Sequence, residues 1–365
     1  MISELVDSGL LTCPVCRGPL PEGGLRNAPL QWEAVHVERA GRPLHGMLSC
    51  GSCASRFPLI DGVAVIFADT AGYLRSQEGE LHARRDLPAE VADYVAQAWA
   101  EDGTAAWHRQ MRAVYSRSLL EADGLADEML SPLIERSKAA LQARRRALST
   151  RLGAGATVLD AGCGVGENAL CLAGLGLRVV AFDRDFAALR QLSAMVGEGA
   201  VEVPFWDHGG ADFSTRRAQA SGAELAASVA VVAGDALDPP FAAAAFDGVM
   251  ALNLIDNVAE PVTCVRQLNG VLRAGGRLVL MSPFDWSGRA TPRSARLGDG
   301  VRLAGAGSDP VEPLHALVSG RLPRHAPELS LVVVHSDELP WVLVRHNRSA
   351  HLFVSHLVEA DKSPA

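Results

Sequence analysis

The stretch TVLDAGCGVGENAL, residues 157–170, decides the fold of this chain. A short run of apolar and strand-favouring residues ends at Asp160, glycines come next at Gly162, Gly164 and Gly166, and a helical pattern succeeds them. Glycine suits a loop whose backbone turns sharply and lies against a ligand, because a side chain there would collide with it. Strand, glycine loop and helix in this order predict the opening of a nucleotide-binding α/β unit. A GxGxxG pattern alone occurs in many tight turns, so the prediction depends on the residues C-terminal to this stretch.

Acidic residues follow the next two predicted strands. The second strand, residues 177–182, precedes Asp183, and a carboxylate at this distance from the glycine loop accepts hydrogen bonds from both ribose hydroxyls of a nucleoside. Asp185 is expected to cap the helix that comes after it. The third strand, residues 228–233, leads to Asp235.

The remaining sheet signals come in the order that such a fold requires. A fourth strand, residues 246–254, ends near Asn253 and Asp256, and open α/β sheets bind ligands at the carboxyl edge of their strands. A helix over residues 261–272, an Arg-Ala-Gly-Gly turn and a fifth strand over residues 277–282 complete the series. We therefore predict an α/β fold with a Rossmann-like sheet.

The sequence DAGCGVG, residues 160–166, resembles motif I of the class I S-adenosylmethionine-dependent methyltransferases. This resemblance implies a seven-stranded sheet with helices on both faces and S-adenosylmethionine (SAM) as cofactor. It places the methionine portion and ribose of the donor against the three loop glycines, the ribose hydroxyls on Asp183, and the adenine beside Asp235 and Ala236. Asp160 would anchor either the loop or the donor's amino group. A nicotinamide dinucleotide is the less favoured ligand.

Four of the seven cysteines form two CxxC pairs: Cys13, Cys16, Cys50 and Cys53. A two-residue gap lets both thiolates of a pair bind one ion, and two pairs complete a tetrahedral zinc site. Four thiolates leave no open position, so this zinc is expected to be structural. A redox CxxC pair is the alternative. His36 and His45 lie between the pairs and are predicted to be surface residues.

The second pair runs into apolar segments around an Asp61-Gly62 turn, which predicts a β-hairpin. Together with LLTCPVCRGPL, this segment resembles the small zinc-ribbon family related to the activating subunit of several tRNA, rRNA and release-factor methyltransferases. The resemblance implies a small zinc-ribbon-like β domain over residues 1–68. A helical linker or lid, residues 69–150, and a methyltransferase domain, residues 151–365, are predicted to come after it.

The segment between residues 69 and 151 is rich in Ala, Arg, Glu and Leu with few turn signals, which predicts helices. Large side chains recur at intervals of four or eight residues and mark one face: Trp99, Trp107, Met111, Tyr115 and Leu119. Core packing explains such a face. The alternative is a lid over the cofactor, with Tyr115 reaching the methyl group or the substrate.

A dense basic cluster closes this segment: Arg144, Arg145, Arg146 and Arg151. Cations near a helix C-terminus offset the helix dipole, which explains the cluster without a nucleic-acid ligand. The formal net charge of −8 also argues against wholesale nucleic-acid binding, which needs a basic face.

Three later stretches, residues 251–261, 282–300 and 338–360, resemble the C-terminal methyltransferase domain of ovothiol-biosynthesis enzymes and its stand-alone relatives. The shared features here are Trp286, the Thr291-Pro292 pair, Arg345 and Arg348. In that family the methylated group is an amine of a histidine-derived small molecule. The family has a WLGG-like motif in this region, and the corresponding sequence in this chain is ARLGDG.

Methyl transfer from a sulfonium releases a leaving group that needs no proton, so orientation and desolvation supply most of the catalysis. An amine nucleophile must only be neutral, which makes a strong general base optional. Asn253 is a candidate to hold the donor backbone or accept an N–H of the substrate, and Asp256 to accept a proton or hold a cation. Capping or turn roles are the alternatives. His335, after three valines, is interpreted as a core or surface histidine at a strand end.

Composition limits the classes of function. A chain of 365 residues with 48% hydrophobic and 21% charged residues is ordinary for a globular protein of two domains. The sequence shows neither an apolar run long enough for a membrane span nor a signal peptide, which predicts a cytoplasmic protein without a membrane partner.

These patterns lead to three hypotheses. The first is N-methylation of a small amine or histidine-like metabolite, which the C-terminal resemblance and the acidic charge favour. The second is methylation of rRNA, tRNA or protein, with the ribbon binding the macromolecule. The third is a non-catalytic, zinc-stabilised binding protein, against which the intact acidic residues and glycine loop argue.

Overall fold

The computed structural model describes these parts of the chain: residues 1–17, 28–77, 81, 84, 86–97, 113–120, 125–205, 214–219, 225–286, 288, 290–302, 308–322, 326 and 329–364. Trp99, Trp107 and Met111 of the predicted helical face lie outside these ranges. Within them, no helix combines the length and apolar character needed to cross a membrane.

The N-terminal part contains one short helix and four strands: α1 (Ile2–Asp7), β1 (Leu30–Arg39), β2 (Arg42–Cys50), β3 (Arg56–Ile60) and β4 (Val63–Val65). β3 and β4 pair antiparallel, as the Asp-Gly turn predicts. Asp61 and Gly62 have φ angles of 52° and 75°, which is the left-handed conformation that such a two-residue turn requires. The predicted hairpin is confirmed.

The next segment is helical where it is described: α2 (Thr70–Ser76), α3 (Ala89–Gln97), a 3₁₀ turn at Arg117–Leu119, and the 28-residue α4 (Leu125–Leu152). The predicted helical character is therefore confirmed for these residues. The basic cluster lies in the last two turns of α4.

Strands and helices then alternate: β5 (Thr157–Ala161), α5 (Glu167–Gly174), β6 (Arg178–Asp183), α6 (Phe186–Glu198), β7 (Ala200–Phe205), β8 (Ser214–Gln219), α7 (Leu225–Ser228), β9 (Val229–Ala233), β10 (Phe246–Leu252), α8 (Pro261–Val271), β11 (Leu272–Ser282), α9 (Val311–Val318), β12 (Val332–His346) and β13 (Ser349–Asp361). β7 and β8 form a separate two-stranded ladder in a region for which the sequence predicts no element.

The other described strands form one sheet of eleven, in the order β1-β2-β3-β4-β9-β6-β5-β10-β11-β13-β12. Its last seven strands are the predicted Rossmann-like sheet, with β9, β6, β5, β10 and β11 parallel and β13 antiparallel to β11. The fold class is confirmed. The strand count differs, because β4 pairs in parallel with β9 and the ribbon strands continue the same sheet.

The parallel strands are mostly apolar because helices cover both faces of the sheet. All five residues of β9 are buried. Val158 and Leu159, neighbours in β5, belong to the cores on opposite faces.

The Arg-Ala-Gly-Gly segment corrects one prediction. It is not a turn before the fifth strand but an irregularity within β11, where the pairing passes from Phe246 with Leu272 to Gly248 with Arg277. Gly275 takes a φ of 74°, which lets the extra residues bulge from the ladder without ending it.

His45 corrects another prediction, because it is 7% exposed and is not a surface residue. Its Nε2 lies 3.6 Å from the Asp61 carboxylate, which Arg84 binds at 2.7 and 2.9 Å and Arg190 of α6 binds at 2.9 Å. The partly buried hairpin turn thus gathers three basic side chains around one acid. His36 is exposed as predicted and contacts Glu90.

Candidate active site

The glycine loop lies between β5 and α5, with φ angles of 73° at Gly162, 52° at Gly164 and 86° at Gly166. A Cβ at Gly162 would meet Leu254, and one at Gly166 would lie 2.4 Å from Leu192. A Cβ at Gly164 would meet no atom of the described residues within 4 Å. Gly162 and Gly166 are therefore required by protein packing, whereas Gly164 borders open space where a ligand can approach.

Asp160 ends β5 beneath this loop and is 2% exposed. Its Oδ1 accepts a hydrogen bond from Asn168 Nδ2 at 2.8 Å, while its buried Oδ2 has no partner among the residues that the structure describes. Burial raises the pKa of Asp160 to about 7, although Asn168 and Arg145 oppose the shift. A buried acceptor without a donor costs free energy, so this oxygen fits a ligand that carries an ammonium group. The amino-acid end of SAM is such a ligand.

Asp183 lies at the end of the neighbouring strand β6 and is fixed by backbone amides. Its Oδ2 accepts from Gly164 N at 2.8 Å, and its Oδ1 accepts from Arg184 N and Asp185 N at 2.6 and 2.9 Å. Burial is the main cause that raises its pKa. Asp185 accepts from Ala187 N and thereby caps α6, as predicted.

Asp235 and Ala236 lie just after β9 in a loop that the ribbon holds in place. Asp235 Oδ1 accepts from Leu237 N at 2.9 Å. The buried Arg17, next to the first cysteine pair, donates to Asp238 and to the Pro239 carbonyl. The first cysteine knuckle is thus anchored to the loop that the resemblance assigns to the adenine.

Asn253 and Asp256 lie just beyond β10, at the same edge of the sheet. Asn253 has a φ of 55°, and its backbone N–H donates to Met281 O at 2.7 Å. Among the described residues, the buried side-chain oxygens Asn253 Oδ1 and Asp256 Oδ1 find no hydrogen-bond partner. Burial raises the pKa of Asp256 to about 6 against the effect of the Ser282 hydroxyl, and Asp285 adds to the rise. This edge of the sheet therefore carries two more buried acceptor oxygens that could bind an N–H group.

Residues 113–120 cross the carboxyl edge of the sheet. Ser116 exchanges hydrogen bonds with Gln191 of α6 at 3.0 to 3.1 Å, and Arg117 bridges Asp127 of α4 and Asn347 in the β12–β13 turn. Leu119 packs against the small core that contains Met195 of the same helix, α6. This segment therefore joins α6, α4 and the β12–β13 turn.

Tyr115 belongs to that crossing segment. The residue is 38% exposed, yet burial of its hydroxyl raises its pKa to about 12, and the Asp183 and Asp256 carboxyls add to the rise. The phenol therefore lies within electrostatic range of both acids.

A cluster of aromatic and imidazole side chains continues the edge beyond β11. Phe284 lies 6.1 Å from Trp286 and stacks on His356 at 6.5 Å, measured between ring centres. His356 is opposite Ser282 in the sheet and contacts Glu338 through Nδ1 at 2.6 Å and His315 through Nε2 at 2.8 Å. Sequence patterns missed this group, because its members come from separate strands and α9.

The other residues that the sequence singled out occupy structural positions. Arg345 and Arg348 flank the β12–β13 turn. Thr291 is buried and donates to the carbonyls of Asp256 and Val258, which holds the loop after β10. His335 does not end a strand, because β12 continues to His346, and it lies opposite Glu359 away from the carboxyl edge.

The four cysteines of the two pairs meet in space, with all four sulfur atoms within 4.8 Å of one another. Cys13 Sγ lies 3.6 Å from Cys53 Sγ, and Cys16 Sγ lies 3.5 Å from Cys50 Sγ. One ion can bind four sulfurs in this arrangement, whereas a single redox pair would not bring all four together. They form a candidate metal site at the base of the ribbon.

Comparison with known families agrees with this geometry. Residues 159–280 match the family model described as methyltransferase domain. The chain contains a methyltransferase domain. It is a SAM-dependent methyltransferase whose residues 9–62 match the Trm112p-like proteins.

Solved structures with the same fold are distant. A SAM-dependent methyltransferase from Methanosarcina mazei is 15% identical, with 60% of this chain and 98% of that one covered and a TM-score of 0.38. The YcgJ protein of Bacillus subtilis is 15% identical, with 62% of this chain and 100% of that one covered and a TM-score of 0.39. A chain from a complex of the Haloferax volcanii Trm112 methyltransferase activator is 14% identical, with 70% of this chain and 98% of that one covered and a TM-score of 0.38. Likeness of this degree bears on neither substrate nor partner.

Proposed function

We propose that this methyltransferase transfers the methyl group of SAM to a nitrogen of a small amine or histidine-like metabolite. The proposal depends mainly on two buried acceptors at the carboxyl edge of the sheet, Asn253 Oδ1 and Asp256 Oδ1, for which the described part of the chain offers no donor. An acceptor oxygen is satisfied by an N–H group, and a carboxylate also favours a cation. A neutral nitrogen nucleophile supplies the N–H, and it becomes cationic only as the methyl group is transferred to it.

The residues that would hold the donor are Asp160 for its amino group, Gly164 for its backbone approach, Asp183 for the ribose, and Asp235 with Ala236 for the adenine. SAM supplies an activated methyl group on a sulfonium. The protein's own contribution is to orient the nitrogen in line with that methyl group and to exclude water, with residues 113–120 above the edge. Asp256 accepts the proton that the nitrogen loses, and the Tyr115 hydroxyl lies within electrostatic range of Asp256.

The aromatic cluster supports a small acceptor with a flat or cationic group. Phe284 and Trp286 are aromatic residues that follow β11, and aromatic ring faces attract cations and stack on heteroaromatic rings. The carboxylates at this edge also repel a phosphodiester chain. Methylation of RNA or protein stays the second candidate, because the Trm112p-like match supplies a module for a macromolecular partner.

We further propose that the four cysteines bind one structural Zn²⁺ and that the chain divides near residues 68 and 150 into ribbon, helical segment and methyltransferase domain. Four thiolates at mutual distances of 3.5 to 4.8 Å fit tetrahedral zinc and leave no open position for catalysis. A cytoplasmic location suits these free thiols.

Labelled methyl groups test the acceptor class. The protein is incubated with methyl-radiolabelled SAM and the separated small-molecule, RNA and protein fractions of a cell extract, with L-histidine and histamine as defined probes. Label in the small-molecule fraction or on a probe supports the proposal. The Asp183→Ala variant, which loses a cofactor contact, serves as the blank. Label that enters only RNA or only protein would overturn it.

A further inference from the structure

The basic cluster at the end of α4 contains one arginine unlike the others. Arg145 is 3% exposed, whereas its neighbour Arg146 is exposed. Arg144 lies near Glu359, and Arg151 donates to the Gly275 carbonyl at the protein surface. Compensation of the helix dipole does not explain a buried guanidinium seven residues before the last residue of α4, because that effect fades within one turn.

Arg145 reaches the back of the glycine loop through two contacts. Its Nε donates to Asn168 Oδ1 at 2.7 Å, and its NH2 group donates to Glu167 Oε1 at 3.1 Å. Asn168 in turn donates through Nδ2 to Asp160 Oδ1 at 2.8 Å. All three members of this chain, Arg145, Asn168 and Asp160, are buried.

The chemistry of the partners fixes the orientation of the Asn168 amide. Arginine only donates, and an ionised carboxylate only accepts. Asn168 must therefore present its oxygen to Arg145 and its nitrogen to Asp160, since the flipped amide would place like groups against each other on both sides. One oxygen of Asp160 is bound in this way, and Oδ2 remains as the acceptor.

We propose that Arg145 is a positioning residue for the amino-acid end of the methyl donor: acting through Asn168, it orients the Asp160 carboxylate so that Oδ2 accepts from the donor's ammonium group. The inference rests on SAM binding at this domain and is independent of the acceptor. It also gives a function to a residue that the cluster pattern alone assigns to the helix terminus.

The charge of Arg145 matters as well as its geometry. The acids Glu167 and Asp183 disfavour ionisation of Asp160, while the Arg145 guanidinium favours it. The thiols of Cys163 and Cys171 also lie in the field of Asp160. Without Arg145, Asp160 would face two acids with only the Asn168 amide to hold its carboxylate.

Two nucleoside ligands and a neighbouring arginine separate positioning from general stability. S-adenosylhomocysteine carries the amino-acid end, and 5′-methylthioadenosine lacks it. In isothermal titration calorimetry, Arg145→Met should bind S-adenosylhomocysteine about tenfold more weakly than the wild-type protein, which is the loss of affinity expected for one charge-assisted contact. Binding of 5′-methylthioadenosine should change less than twofold. Arg146→Met, the exposed control, should leave both affinities unchanged.

Equal losses for both ligands in Arg145→Met, or no loss for either, would overturn the inference. If this variant does not fold by thermal denaturation, Asn168→Ala removes the bridging amide and must give the same ligand-selective loss. A wild-type protein that binds neither ligand would instead refute the cofactor site itself, so the two failures are distinguishable.

Discussion

Asp160 gives a quantitative prediction for cofactor binding. Its pKa of about 7 lies well above the ordinary value of 3.8, mainly because the carboxyl is buried. The donor's ammonium group binds the ionised form through Oδ2, so binding requires that the proton leave. Affinity for S-adenosylhomocysteine must therefore rise with pH until Asp160 is ionised in the free protein.

That pKa sets the size of the effect. With a pKa of about 7, roughly one Asp160 in eleven is ionised at pH 6 and about three in four at pH 7.5, so the affinity should rise about eightfold between these values. Binding at pH 6 should release about 0.9 proton per ligand. Calorimetry in two buffers with different ionisation enthalpies measures this release directly.

Two controls isolate Asp160 from its neighbour Asp183, whose pKa burial also raises. Asp160→Asn should bind more weakly at pH 7.5, with an affinity that changes little with pH. The ligand 5′-methylthioadenosine lacks the ammonium group and should show no comparable pH dependence in the wild-type protein. Affinity for S-adenosylhomocysteine that stays flat from pH 6 to 7.5, or an unchanged pH dependence in Asp160→Asn, would refute the assignment.

Further predictions concern the ribbon, the metal and the acceptor side. Asp61→Ala should cost about 2 kcal/mol in urea unfolding at pH 7 and Asp86→Ala, whose carboxylate is exposed, under 1 kcal/mol. The pKa of Asp61 is lowered because Arg84 and Arg190 outweigh burial, and that of Asp86 is lowered to about 2 by Arg84, so both contributions should decrease below pH 3.8 and be lost only below the lowered pKa values. Metal analysis should give one zinc per chain in the wild-type protein and less than half an equivalent in Cys16→Ser. The control Cys264→Ser, at a buried cysteine outside the cluster, should keep the wild-type zinc content. Methyl transfer should rise with pH through about 6 as Asp256 ionises, and Asp256→Asn should be slower with a flatter profile; equal profiles would exclude Asp256 as the proton acceptor.

Local sequence patterns predicted the parts of this structure that depend on neighbours in sequence. The Asp61-Gly62 turn is explained by the φ angles that these residue types accept, and Asp185 caps α6 because its short carboxylate reaches the first free amides of the helix. The order of strands, glycine loop and acids predicted the Rossmann-like sheet. The cysteine spacing likewise predicted the cluster of four sulfurs.

Contacts between distant parts of the chain could not be predicted in this way. The pairing of β4 with β9 joins residues near 64 to residues near 232, and no local pattern records the register of two apolar strands. The prediction that His45 is a surface residue is wrong, because its burial depends on Asp61 and on two arginines from other segments, which the local sequence does not reveal. Arg145 was hidden within a run of arginines, since sequence does not reveal which of them faces Asn168.

Helix α6 shows why the ribbon is part of the sheet and not a detached module. Successive helical residues point about 100° apart, so residues 190–193 together face every side of the helix. Arg190 and Ser193 bind the hairpin turn at Asp61, Gln191 binds Ser116 of the crossing segment, and the residue after it packs against Gly166. One helical turn therefore contacts the ribbon, the segment above the cofactor edge and the glycine loop. A shift of the ribbon turn must move this helix or break its contacts, so the position of the ribbon constrains the cofactor site across the body of the protein.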